Sequence, residues 1–107
     1  MTDERMQIVM GLIMAGGNAK NCAIEAITAA KKGDFSLAKE KLKDANQAIV
    51  DAHNVQTDML TKEAQGEHTE LDLYMVHAQD HLMTGITFVD LAKEIIAVYK
   101  RLDEEGK

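Results

Sequence analysis

The sequence predicts an all-α protein, an antiparallel three-helix bundle, and three observations carry that expectation. Proline is absent from all 107 residues, so nothing forces a helix to break through a missing amide hydrogen and a ring clash. Aromatic residues make up only 4% of the chain, whereas helix formers such as Ala, Leu, Met, Lys, Glu and Gln abound. Only two stretches read as breaks. In "KKGD" (31–34) lysines close a helix and Gly33 stops it, and in "EAQGEHTE" (63–70) Gly66 and a polar run interrupt the apolar pattern. Helices are therefore expected over about 3–32, 35–65 and 70–102, in one domain spanning 1–107, with the tail "DEEGK" (103–107) frayed.

The first segment starts behind Thr2, a good N-cap, with Asp3 and Glu4 suiting the positive end of the helix dipole. It carries two stripes: Met6, Met10, Ile13, Gly17, Ile24 and Thr28 on one side, and Ile8, Leu12, Ala15, Ala19, Ala26 and Ala30 on the other. Small residues on the second stripe would let a neighbouring helix come close. The pair Gly16-Gly17 costs on the order of 1 kcal/mol per glycine against alanine in mid-helix, so it needs a packing or partner reason. Cys22 has no second cysteine to pair with and, among alanines, is expected to be a buried, inert thiol. Met6, Met10 and Met14 are expected as core fillers, the alternative being a soft surface that adapts to more than one partner.

The second segment aligns Phe35, Leu42, Asn46, Ile49, His53, Gln56 and Leu60, an apolar line with three polar interruptions. In the third, Leu73, His77, Thr84, Phe88, Leu91 and Ile95 share a face, and Met75, Leu82, Ile86 and Val89 share the opposite one. A helix that is apolar nearly all round is buried on more than one side. A lone three-helix bundle has one core, so the surplus faces predict a second interface, in a closed symmetric oligomer.

Charge excludes some functions. With 18 acidic against 12 basic residues the net charge is −6, and phosphate backbones and anionic membrane surfaces need a basic patch instead. No run approaches the ~18 apolar residues of a membrane span. "MTDERMQ" lacks the basic-then-apolar order of a signal peptide. A cytoplasmic location is expected.

The chemistry concentrates in "VHAQDHLM" (76–83), where His77, Asp80 and His81 fall at helical spacing. No Lys or Arg occurs between Glu63 and Ala92, so Asp80 has no local cation, and a buried unpaired carboxylate costs several kcal/mol. Three readings stand. The histidines could be ordinary hydrogen-bonded core residues. His77 and His81, four apart, could hold a divalent ion with Asp80, and with His53 from the second segment as a fourth ligand. Or a neutral imidazole could act as a nucleophile that takes up a group and passes it on, oriented by neutral neighbours such as Gln79 or Gln56. The absence of nearby cations suits a carrier, which should not hold an anionic cargo too firmly. No H-E-x-x-H, CxxC or glycine-rich phosphate loop competes for the role.

"VHAQDHLMT" (76–84) resembles the phosphorylation motif of the enzyme IIA components of the lactose/cellobiose class of the bacterial sugar phosphotransferase system. "AHNVQTDML" (52–60) resembles a second signature of that family and "KKGDF" its first helix break, so the likeness covers about residues 4–102. The resemblance implies a homotrimer of three-helix bundles. It implies that His77 accepts a phosphoryl group from the phosphocarrier HPr and gives it to a cysteine of enzyme IIB. The sugar is then phosphorylated during import through enzyme IIC, so the membrane is met only indirectly. It also implies that Asp80 gathers at the threefold axis around a divalent cation such as magnesium. Three carboxylates ~5 Å apart repel by roughly 3 kcal/mol per pair at an effective dielectric of 20, and a hard cation would reverse that sign. His81, Gln79, His53 and Gln56 are candidate neighbours of the site. The wording of the motif leans toward the cellobiose/chitobiose branch. The alternative from another class is a non-enzymatic metal-binding bundle using His77, Asp80 and His81.

Overall fold

The computed structural model describes residues 2–106. Three helices account for almost all of them: α1 (Asp3–Lys31), α2 (Phe35–Ala64) and α3 (Leu73–Glu105). Each start is capped by a side chain. Thr2 accepts from the amide of Arg5 at 3.1 Å, Asp34 from that of Leu37 at 3.1 Å, and Asp72 from that of Met75 at 2.9 Å, each satisfying an amide that has no partner inside the helix. The two turns rest on glycines at φ +85 (Gly33) and +90 (Gly66), a left-handed conformation that other residues reach only with strain.

Two boundaries differ from the sequence expectation. The third helix begins at residue 73 rather than 70 because Arg5 ties down the segment before it. Its guanidinium donates to the carbonyl of Glu70 and pairs with the Asp72 carboxylate at 3.2 Å. At the other end, residues 103–105 continue α3 instead of fraying. Arg101 and Glu105 pair one turn apart at 3.0 Å, and the amide of Gly106 closes the last turn onto the Leu102 carbonyl. Residue 107 of the expected tail lies outside the described residues.

α1 packs along both other helices, whereas α2 and α3 touch each other far less. The resulting bundle is a rod of 58 × 24 × 19 Å. Its core is built mainly from alanines, among them Ala19, Ala23, Ala45, Ala78 and Ala92, with Val9, Leu12, Met75, Leu82 and Val89 between them. Small side chains at the contact set the short end of helix separations. Of the two stripes on α1, the small one faces inward. Met6, Met10 and Met14 are 38%, 45% and 66% exposed, so they are surface residues and not the core fillers expected, because the core selected alanines. Cys22 is half-buried rather than buried, at the edge of the middle cluster. Desolvation, then the charges of Asp44 and Glu25, raise its thiol pKa, which disfavours the thiolate.

The glycine pair divides. A Cβ on Gly16 would stand 2.6 Å from the carbonyl carbon of His81, whereas one on Gly17 would meet nothing within 4 Å. Gly85 completes the crossing, its own Cβ position lying 3.2 Å from Gly16. α1 and α3 therefore approach backbone to backbone at the level of the histidine motif. No helix among the described residues is long and apolar enough to cross a membrane.

Candidate functional site

The crossing at Gly16 fixes the backbone of α3 at His81, and the helix does the rest. Residues four apart stand one turn above each other, so His77 and His81 meet. Their Nε2 atoms are 3.2 Å apart and the rings lie edge to face, with centroids 4.5 Å apart. His77 is exposed and His81 half-buried. The Nδ1 atom of His81 is buried against the bundle with no hydrogen-bond partner. No ion pair among the described residues involves His77, Asp80 or His81, as the cation-free stretch around them predicts.

Asp80 is exposed, so within one chain its carboxylate stays in water and the cost of burial does not arise. At 100° per residue it lies about 60° from His77, away from His81. Its carbonyl accepts from Thr84 Oγ1 at 2.7 Å. Its carboxylate sits within an outward stripe of α3 in which Leu73, Leu91, Ile95, Val98 and Leu102 are 42–83% exposed. No three His, Cys, Asp or Glu groups among the described residues converge as a metal-holding cluster, so Asp80 does not join the two histidines.

Gln79, two residues from His77 and hence about 200° around the helix, points into the seam with α2. There Gln56 Nε2 donates to Gln79 Oε1 at 2.7 Å and reaches Met83 Sδ at 3.4 Å, and Gln79 Nε2 reaches Met75 Sδ at 3.6 Å. Gln56 and Gln79 thus bind each other across α2 and α3 and are not brought to His77. His53, one turn before Gln56, is exposed on α2. Of the expected neighbours, His81 is the one that hydrogen-bonds the imidazole within the described residues of one chain. The residues that sequence reasoning passed over are Arg5, which positions the segment leading into α3, and Gly16 in its specific role of seating His81. The glycine pair signalled the second, whereas nothing in "DERMQ" signalled the first.

Fold and site together define a small helical bundle with an imidazole open to solvent, a second ring against it at 3.2 Å, and no ion pair to either among the described residues. The chain matches the family described as "PTS system, Lactose/Cellobiose specific IIA subunit" over residues 7–100. It is 54% identical over 101 residues to the cellobiose-specific EIIA component of Lactococcus lactis, covering 94% of this chain and 87% of that protein. The crystal structure of the cellobiose-specific enzyme IIA from Bacillus anthracis superposes with a TM-score of 0.91 at 43% identity, covering 97% and 95% of the two chains. The IIA(Chitobiose) protein of Escherichia coli, solved in complex with HPr, gives a TM-score of 0.81 at 36% identity, covering 95% and 99%. The chain belongs to the lactose/cellobiose IIA family. It is a phosphotransferase component of a sugar-transport system.

Proposed function

We propose that His77 is the phosphoryl carrier, accepting the group from HPr at Nε2 and giving it to a cysteine of an enzyme IIB, in the cytoplasm, for uptake and phosphorylation of a sugar through enzyme IIC. The observation that carries this reading is the exposed His77 imidazole, whose Nε2 faces its helix neighbour His81 in a stretch without cations. The lone pair on Nε2 attacks phosphorus and the bond from phosphorus to the donor imidazole breaks. The leaving ring takes up a proton, and the proton on Nδ1 of His77 is lost to solvent. The attack of a IIB thiolate on phosphorus reverses these events at His77. With no Lys or Arg to clamp the phosphoryl oxygens, the group stays transferable. HPr as donor is supported by the E. coli relative, whose structure is a complex with it.

The outward stripe of α3 supports a homotrimer. It is too apolar to stay in water, and its one carboxylate, Asp80, suits a threefold axis where three copies meet. Asp80 is a hard oxygen donor without a competing cation, which fits magnesium. When bound there, the cation would neutralise the mutual repulsion of three carboxylates, a structural role. The metal-binding bundle built on His77, Asp80 and His81 has less support, since these three groups do not converge. Relatives named for cellobiose and for chitobiose share this fold, and the motif leans to that branch.

A relay tests the reading. The protein is loaded with phospho-HPr, separated from it, and mixed with its cognate enzyme IIB. Phosphoryl should leave the histidine and appear on the IIB cysteine. A loaded protein that enzyme IIB cannot discharge would contradict the carrier role.

A further inference from the structure

The seam between α1 and α2 opens into a groove of about 380 Å³ that the carrier chemistry does not use. Gly11, Ala15 and Ala52 leave the room, and Ile8 and Val55 add apolar surface. α3 contributes no residue to it. The stripe of α3 proposed to meet at a threefold axis faces away from both other helices, so that assembly leaves the groove open. Gly11 and Ala15 stand about 140° and 100° around α1 from Gly16, the residue that meets His81. The groove is therefore separate from the face that presents His77.

Two features say what kind of occupant it suits. The first is Gly11, a glycine inside a helix, where alanine is the better helix former. A Cβ at position 11 would meet nothing within 4 Å, so packing within the chain does not require its absence. What it supplies is bare backbone in the lining of the groove, over which another backbone can come close. Gly17 is equally free of contacts, but it stands on the methionine stripe and not in the groove. The second feature is charge. Glu4 and Asp51 line the groove, both are exposed, and neither joins an ion pair among the described residues. No Lys or Arg lines it. Arg5 is turned to Glu70 and Asp72, and Lys62 lies beyond Glu4 in the adjoining hollow. Glu4 and Met59 share that hollow, and Asp51 lies about 12 Å further along α2 from Met59 at 1.5 Å per residue. The two carboxylates are thus spaced like residues about two turns apart on a helix.

We propose that the α1–α2 groove docks a short basic amphipathic helix of a partner protein. Its apolar stripe lies over Gly11, and Lys or Arg side chains two turns apart pair with Glu4 and Asp51. An amphipathic helix laid in an apolar groove is a common mode of recognition. Small residues beneath it permit a close crossing, and the net charge of −6 favours encounter with a basic segment.

The test uses the full chain and a synthetic helical peptide with leucines at helical spacing and lysines in its first and last turns. A twin carries glutamates in place of the lysines. Binding is read by fluorescence anisotropy and located by amide NMR shifts. The lysine peptide should bind and the twin should not, with shifts at Gly11, Ala15 and Ala52 and none at His77. Gly11→Leu fills open space and should weaken binding roughly tenfold or more, while still taking up phosphoryl from phospho-HPr as wild type does. Glu4→Gln with Asp51→Asn should weaken binding several-fold and flatten its salt dependence, whereas Glu104→Gln should change neither. The double variant decides the matter if Gly11→Leu does not fold. A lysine peptide that fails to bind, a twin that binds equally, shifts centred on α3, or an affinity indifferent to Gly11→Leu would overturn the proposal. So would a loss of self-association in Gly11→Leu, which would assign the groove to a second copy of this chain. Peptide binding is read on the unphosphorylated protein, so the docking site and the carrier reading stand or fall separately.

Discussion

α3 meets its two neighbours in opposite ways. Against α1 it is pressed backbone to backbone, with Gly16 under His81 and Gly85 under Gly16. Against α2 it is held at arm's length by two glutamines and by methionine thioethers on which their amides rest. The first seam has no freedom to adjust, because the atoms in contact are main chain. The second consists of flexible side chains that can repack. The imidazole pair stands beside the rigid seam. The backbone of His81 is thus set by two absent side chains, and a carrier histidine one turn away, as proposed for His77, gains from a helix that cannot shift.

The adjacent glycines give the sharpest way to break that comparison. Gly16→Ala should destabilise the fold by about 2–3 kcal/mol, since the new methyl meets main chain that cannot step aside. Gly17→Ala should stabilise it by up to about 1 kcal/mol, because the site is open and alanine is the better helix former. Urea unfolding of the two variants decides it, and equal effects of the same sign would remove the close crossing as an explanation.

A second substitution tests the outward face of the same helix. If the proposed trimer forms through this stripe, Asp80→Leu should leave a trimer whose mass in sedimentation is indifferent to a chelator, whereas the wild type should dissociate more readily when divalent ions are removed. A variant that dissociates would count against the stripe as a threefold interface.

The smallest effect is expected at the entry to α3. The amide of Met75 and then the Arg5 guanidinium hold the Asp72 carboxyl below its ordinary pKa. A depressed carboxyl stabilises the folded state above its unfolded pKa, and that contribution fades as pH falls through the folded one. Asp72→Asn should thus lower Tm slightly at pH 7, with the difference closing in acid below the usual carboxylate range. A constant difference across pH would show that the cap, and not the charge, is what matters.

Much of the architecture was legible. The absence of proline and the two glycine breaks located three helices to within three residues, and the spacing of four placed His77 beside His81. What failed did so for physical reasons. Both faces of α1 are apolar, so sequence alone could not say that the alanine stripe would face inward and the methionines outward. That choice depends on how closely α3 approaches, which a glycine on α1 and another on α3 decide together. The start of α3 was misplaced because Arg5, sixty-five residues away in sequence from Glu70, straightens the segment before it. Within one chain Gln79 and Gln56 bind each other across α2 and α3, because a two-residue step on a helix turns Gln79 away from His77.

The central claim is that one imidazole of this chain carries phosphoryl. Intact mass after incubation with phosphoenolpyruvate, enzyme I and HPr, for wild type beside His77→Gln, tests it most directly. The account predicts one phosphoryl group added per wild-type chain and none on the variant. An unmodified wild type in the presence of active upstream proteins, or a variant that still gains the group, would contradict it.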